Sequence, residues 1–351
     1  MLRIDVSARR PPLPAPARNR PAGWGCVAAA VFATWLPAVG CAPPGGIRIT
    51  PVPVDQSLEE TEVYRDDGWV TDKIALIDLD GVLVNDTPSG LFESGEHPVS
   101  FLVEKLRAAE ADATVKAVVL RINSPGGTVT ASDLMHHELL AFRERTGKPV
   151  VAFLMDVAAS GGYYVACSAN VILACPTTVT GSIGVIMQTV EVTGTLEKLG
   201  VTTDAITTGP HKDSGSPLRK MRPEERTLFQ NLINQMYERF IKIVREGRPL
   251  LSEAKIRTLA DGRVYLAPLA LEAGLIDGIA PFEDAIATAR TLAKSHRVRV
   301  VRYHRPLGWQ PTWYAGSPVP PAEAAAASWV ARAARLFTSG PTFLYLWRIG
   351  M

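Results

Sequence analysis

Apolar positions fall along this chain in two alternating rhythms. "KIALIDL" (73–79), "VKAVVLRI" (115–122), "KPVVAFLM" (148–155) and "VILAC" (171–175) are short, nearly continuous apolar runs, the pattern of strands buried on both faces. Between them, "SFLVEKLRAAEAD" and "ASDLMHHELLAFRERTG" carry apolar residues at helical spacing, the second closed by Gly147. "SGGYYVACSAN" reads as a short helix. The longest predicted helix, "RPEERTLFQNLINQMYERFIKIVREGR", puts Phe229, Leu232, Ile233, Met236, Tyr237, Phe240, Ile241 and Val244 on one stripe. Strands alternating with helices predict an α/β domain with a largely parallel sheet. With no internal repeat, one catalytic-size domain over residues 71–305 is the economical reading.

The two ends break this rhythm. Five arginines lie before an uncharged run, "WGCVAAAVFATWLPAVG" (24–40), which ends beside Cys41. Basic residues ahead of a short apolar core are the pattern of an export signal or membrane anchor over residues 1–41, with the catalytic part outside the cytoplasm. "AVGC" resembles a lipoprotein box in which Cys41 is lipidated, although Ala38 stands where Leu is usual; an uncleaved anchor is the alternative. Ten of the 27 prolines precede residue 55, so residues 42–70 read as a linker. At the other end, residues 306–351 form a tail. "PAEAAAASWVARAARLF" reads there as an amphipathic helix, docked on the body or a neighbouring subunit, or else touching the membrane surface. The aromatic "TFLYLW" follows it.

Composition and charge narrow the function. The chain is 47% hydrophobic and 21% charged, which suits a packed core and excludes a disordered chain. Its net charge is +2, and the basic excess sits in the export segment, which leaves nothing to suggest a nucleic-acid surface. Cys26 and Cys41 belong to that segment. Cys167 and Cys175 lack metal or redox spacing and read as ordinary core residues. Neither a P-loop nor a zinc spacing occurs, so no cofactor or metal is expected.

Two constellations compete for the chemistry. "LIDLDGVL" places Asp78 and Asp80 in the D-x-D-G pattern that opens a class of Mg²⁺-dependent phosphatases. That class also needs a later acidic pair, which "LIDGIAPFEDA" supplies with the wrong spacing. The stronger signal is three glycine-rich stretches that follow strands: "NSPGGTVTASD", "AASGGYYVA" and "TGSIGV". Gly126 and Gly127 can bring bare backbone N–H groups to a ligand. Ser160 stands where a strand meets a helix, with the Gly161 N–H beside any oxyanion formed there. A serine nucleophile needs a base, and no G-x-S-x-G elbow is present. "GPHKDSGSPLRKM" offers Lys212, flanked by His211 and Asp213. A lysine can act as base when desolvation or positive neighbours bring its pKa down to roughly 7–8.

Together, "SPGGTVTASD", "AASGGYYVA", "TGSIGV", "KDSGSPLRKMRPEER" and "ADGRVY…ALEAGLIDGI" occur in the order and spacing of the signal peptide peptidase A family of serine peptidases. The chain resembles the short, single-domain form of that family over roughly residues 72–300. The resemblance implies a crotonase- or Clp-protease-like spiral of ββα units carrying a Ser–Lys dyad. It implies Ser160 as nucleophile, Lys212, 52 residues on, as general base, and Ser182 as a hydroxyl that bonds the lysine. Gly127 and Gly161 match the oxyanion donors, while Asp78 and Asp80 lie on a non-catalytic strand. It further implies ring-shaped homo-oligomers in which the lysine can reach a neighbour's serine, hydrophobic peptide substrates such as cleaved signal peptides, and a membrane-anchored place in the bacterial envelope. Two rivals share the fold: an acyl-CoA enzyme of the crotonase type, and a non-catalytic binding scaffold. Neither has a use for both Ser160 and Lys212.

Overall fold

Each strand of the central sheet presents two apolar faces, so helices must cover both. In the computed structural model, which describes residues 57–86, 97–305 and 343–347, the sheet is built around β2 (Lys73–Asp80), β3 (Val115–Ser124) and β5 (Val150–Ala159). Ile74, Leu76, Ala117, Val119, Val151 and Phe153 point to one face, where they meet Phe282, Ala285, Ile286 and Ala289 of the late helix α8 (Phe282–Leu292). The alternate positions Ala75, Ile77, Val118, Leu120, Ile122, Ala152 and Leu154 point to the other face and the larger core. That core includes α1 (Pro98–Ala111), α2 (Val129–Thr146), α3 (Gly161–Ala166) and the buried end of α5 (Pro223–Gly247). This two-faced period of two is the physical origin of the near-continuous apolar runs in the sequence.

The sheet path adds β1 (Glu59–Arg65), β6 (Val171–Ala174), β10 (Gly278–Ile279) and β11 (Arg299–His304), in the order β1-β11-β2-β3-β5-β6-β10. All neighbours on this path are parallel except β1 and β11. β1 lies inside the stretch 42–70 expected to be linker. Pairing with β11 makes a strand of that part, because "EETEVYR" is free of proline and alternates enough to close the sheet edge. β5 is long enough to serve two neighbours: Val151–Leu154 pair with β6, and Val157–Ala159 pair with β7 (Val179–Gly181). β7 in turn pairs antiparallel with β9 (Val264–Leu266). Helices α4 (Thr193–Lys198), α6 (Glu253–Leu259) and α7 (Ala267–Glu272) complete this part of the chain.

A second, three-stranded sheet stands off the first. It consists of β4 (Gly126–Thr128), β8 (Ile186–Met187) and, between them, β12 (Phe343–Leu346) from the C-terminal tail. Phe343–Leu346 of the aromatic stretch is thus a strand docked on the body. The predicted helix ahead of it, the export segment and Cys41 lie outside the described residues. Among the described residues no helix is long and apolar enough to cross a membrane.

One expectation needs correction in detail, and the D-x-D-G ambiguity is resolved. The α5 stripe is buried only at Phe229 and from Phe240 to Val244; Leu232, Ile233, Met236 and Tyr237 are half-covered. And Asp78 is bound to structure: its carboxylate pairs with Arg121 of β3 at 2.7 Å and with Arg302 of β11, and its side chain is 2% exposed. A carboxylate buried between two guanidinium groups is a cross-strand tie, and it has no freedom to attack a phosphate.

Candidate active site

β5 ends in a corner that no ordinary strand would make. Ser160 follows it with φ 53° and ψ −115°, and α3 starts at the next residue. A non-glycine residue at positive φ costs roughly 1–3 kcal/mol and persists only where its surroundings over-determine it. Here the Ser160 N–H donates to the Gly181 carbonyl at 2.7 Å, and the Ser160 carbonyl accepts the Tyr164 N–H at 2.9 Å. Gly162 lets α3 sit directly on β3, since a methyl group there would lie 2.7 Å from the Ser124 carbonyl oxygen. Ser160 itself is 1% exposed.

The neighbouring strand ends the same way. Ala159 is paired with Gly181, and Ser182 follows at φ 51°, its N–H donated to the Arg263 carbonyl at 2.8 Å. The two serines predicted to act together therefore stand on equivalent corners of adjacent parallel strands. The sequence signal was their common context, a serine placed among small residues after a strand.

The "SPGG" turn supplies the opposite wall. Ser124 is fully buried; its hydroxyl donates to the Gly81 carbonyl at 2.6 Å and accepts the Gly126 N–H at 3.1 Å. Leu83 takes the next two groups, accepting the Thr128 N–H at 2.7 Å and donating to the Gly126 carbonyl at 2.9 Å. Along an extended strand, adjacent residues face opposite sides, so the Gly127 N–H and carbonyl face away from Leu83. Gly127 is obligatory on different grounds: a methyl group there would lie 1.8 Å from the Leu83 carbonyl oxygen.

Gly126 is the residue whose importance the sequence left unranked. It has φ +99°, and a methyl group on it would lie 2.6 Å from the Gly161 nitrogen. Its bareness keeps open the space in front of the Gly161 N–H, at the first turn of α3, where helix N–H groups lack internal partners. The Tyr345 carbonyl oxygen of β12 reaches into that space, 2.0 Å from the position such a methyl group would take.

Lys212 lies elsewhere in character. It is exposed, in a run of turns between α4 and α5, and its N–H donates to the Gly209 carbonyl at 3.3 Å. Among the described residues no hydrogen bond joins it to Ser160 or Ser182. Its turn is nevertheless held. Arg219 grips Asp213 with two bonds (2.6 and 2.8 Å) and also bonds Glu225. Glu225, at the third position of α5, accepts the Arg222 N–H at 3.0 Å and the Ser214 hydroxyl at 3.1 Å. Hydrogen bonds from Arg219 hold both carboxyl groups below the ordinary carboxylate range. The "KDSGSPLRKMRPEER" motif is thus one ionic brace around Lys212. Sequence reasoning named Asp213 only as a neighbour of the lysine, because a bond from Asp213 to Arg219 exists only once the intervening turn has formed.

His211 is exposed beside Lys212, Cys167 is buried with its thiol pushed up to about 12 by desolvation, and Cys175 is half-buried. No group of residues suited to a metal ion occurs among those described.

Comparison with known proteins places this geometry. The model of peptidase family S49 matches residues 143–296, a span that contains Ser160, Ser182 and Lys212. The chain is 34% identical over 258 residues to a protein of Enterococcus faecium that bears the name signal peptide peptidase SppA, covering 73% of this chain and 74% of the other. It is 40% identical over 225 residues to Protease 4 of Salmonella typhi, a match that covers 63% of this chain and only 35% of that protein. It is 37% identical over 209 residues to the chloroplastic serine protease SPPA of Arabidopsis thaliana, covering 58% of this chain and 30% of that one.

Proposed function

The chain belongs to the signal peptide peptidase A family of serine peptidases, and from that premise we propose that it is a Ser–Lys endopeptidase of extended hydrophobic peptides, with Ser160 as nucleophile and Lys212 as general base. The observation that carries the reading is the Ser160 corner: a strained serine, fixed by backbone bonds, followed by Gly161, whose nitrogen stands beside the bare Gly126. Strain of this kind, held in place by the fold, is what a preorganised nucleophile needs.

In this mechanism the Ser160 hydroxyl attacks a peptide carbonyl carbon while Lys212 takes its proton. The carbonyl oxygen, now negative, lies against the N–H groups of Gly127 and Gly161. Lys212 returns the proton to the leaving amine as the C–N bond breaks, and water then hydrolyses the ester on Ser160. Ser182, on the corner adjacent to Ser160, orients the lysine. An exposed Lys212 in one protomer fits completion of the dyad by a neighbouring copy, in a ring built on the spiral fold of the family. The placement of the ring at the bacterial envelope, close to spent signal peptides, follows from the export segment and is part of the same proposal.

The test is hydrolysis of a fluorogenic, signal-peptide-like substrate by full-length protein, with Ser160→Ala and Lys212→Ala alongside. The proposal expects turnover by the wild type only, with all three proteins folded by circular dichroism. Turnover that survives Ser160→Ala sinks it. Binding of coenzyme A without peptide hydrolysis favours the crotonase rival instead.

A further inference from the structure

One hydroxyl beside the serine corner is left over by the Ser–Lys mechanism. Ser132 is the fourth residue of α2, within the "SPGGTVTASD" stretch, and is 0% exposed. Its Oγ occupies the place that a side chain on Gly161 would take: a methyl group there would lie 2.4 Å from it. The same point is 3.1 Å from the Gly126 Cα and 3.0 Å from the Tyr345 carbonyl oxygen. A buried hydroxyl, two bare glycine backbones and a carbonyl oxygen therefore share one small space, one residue past Ser160.

Neither packing nor helix stability accounts for a serine at this position. Alanine would fill the same space less one oxygen and is the better helix former. The Ser132 hydroxyl donates to the Thr128 carbonyl at 3.0 Å, long for an O–H···O bond, in the back-bonded geometry that slightly destabilises helices. Thr128 is the N-cap of α2, so its carbonyl also accepts the first N–H of the helix. The hydroxyl can therefore rotate away without leaving that carbonyl unpaired. A backbone N–H points where the fold sets it, whereas a hydroxyl is a rotor whose proton turns toward negative charge as it forms.

We infer that Ser132 is a third oxyanion donor: its hydroxyl turns from the Thr128 carbonyl to the negative oxygen of the tetrahedral intermediate, beside the N–H groups of Gly127 and Gly161. The inference rests on the reading of Ser160 as nucleophile. The hydroxyl keeps its bond to Thr128 at rest and exchanges it only once charge has developed, so it favours the transition state over the bound substrate. Gly161 is then needed twice over, for its own N–H and for the bareness that leaves room for the Ser132 Oγ.

Ser132→Ala tests this, since it deletes only the oxygen. In full-length protein cutting a fluorogenic hydrophobic peptide, it should lower kcat about 10–100-fold with KM within about twofold, less than the loss of a fixed donor because the two N–H groups remain. The melting temperature should stay level or rise, because alanine favours the helix. A peptide boronate, which forms a tetrahedral adduct on Ser160, should lose affinity by the same factor as kcat. The uncleaved peptide should bind Ser160→Ala and Ser160→Ala/Ser132→Ala equally. A merely structural role would move the melting temperature and peptide binding and would not tie kcat to the adduct. Ser132→Cys keeps a weak donor and should fall between serine and alanine. It decides the matter if the alanine variant misfolds: a cysteine variant as active as the wild type overturns the inference. A kcat within about threefold of wild type in folded Ser132→Ala, or a loss of kcat unmatched by the boronate, overturns it and leaves the peptidase reading standing. A wild type that neither cuts peptides nor takes up the boronate overturns both.

Discussion

The serine corner and the lysine turn are built by opposite means. Ser160 is buried, at positive φ, and held by backbone bonds to Gly181 and Tyr164. Lys212 is exposed, in a turn held by side-chain ion pairs from Arg219 and Glu225. The first arrangement is rigid because the chain cannot relax there without breaking the sheet. The second is adjustable, because a surface brace fixes where the turn is rooted but leaves the lysine side chain free to meet a partner. One half of the proposed dyad is thus complete in the protomer, and the other half is offered outward.

The sharpest way to break this comparison is to remove each half. Ser160→Ala and Lys212→Ala should each lower kcat for a peptide substrate by on the order of 10⁴-fold or more, as removing a member of a catalytic unit does. Mixing the two inactive variants sharpens the test of an outward-facing lysine. If the dyad forms between copies, mixed assemblies regain a fraction of wild-type turnover, whereas a dyad within one protomer regains none. His211→Ala, in contrast, should leave kcat within about threefold, since a bystander has no proton to move; a large loss there would transfer the base role to the histidine.

Next in size is Gly126→Ala. The new methyl group would meet the Gly161 nitrogen at 2.6 Å at a backbone φ of +99°, in the space proposed for the oxyanion. Loss of one donor of this kind costs about 10²–10³ in kcat. The effect should fall on kcat with KM little changed; a variant that loses only KM would argue that the space holds no developing charge.

How far the sequence exposed these two regions follows from how local each is. The corner at Ser160 and Gly161 and the turn at Gly127 were legible as local structure because strand, turn and helix are contiguous there, and small residues have few other reasons to cluster after a strand. Asp78 was ambiguous, since its partners Arg121 and Arg302 arrive from two other strands, and only the register of β2 with β3 and β11 shows it to be a tie. β1 was hidden by the prolines before it. β12 was hidden more deeply: a four-residue strand has almost no periodicity to read, and both of its partner strands are distant in sequence. The half-covered stretch of α5 lies where that strand docks, with the Met236 carbonyl receiving the Tyr345 hydroxyl.

A smaller effect is expected from loosening the brace. Arg219→Ala removes the bonds to both Asp213 and Glu225 and should lower kcat about tenfold, less than the ~10² that a fixed 1 Å misplacement costs, because the lysine retains its own flexibility. Arg219→Lys should rescue little, since an ammonium cannot reproduce the two-bond grip on Asp213. Full rescue by lysine would mean that charge alone, and not the geometry of the turn, is what the motif supplies.

The smallest effect separates the two regions by pH. Asp213 and Glu225 are held below the ordinary range, chiefly by hydrogen bonds from Arg219, and in Glu225 burial opposes this. A carboxylate depressed in the folded state stabilises it fully above its unfolded pKa, about 4, and loses that contribution as pH falls through the folded value. The lysine turn should therefore be equally firm from about pH 5 to 8 and loosen only in more acid solution. The serine corner has no titratable group in its bonds, so it should not loosen until the whole domain does. Hydrogen exchange of residues 209–222 and 157–166, corrected for intrinsic rates and compared with Glu225→Gln, reads this directly. The wild-type turn should approach the Glu225→Gln turn as pH falls, while the corner stays protected in both. If corner and turn lose protection together across that window, the two are one cooperative unit and the contrast between a rigid half and an adjustable half does not hold.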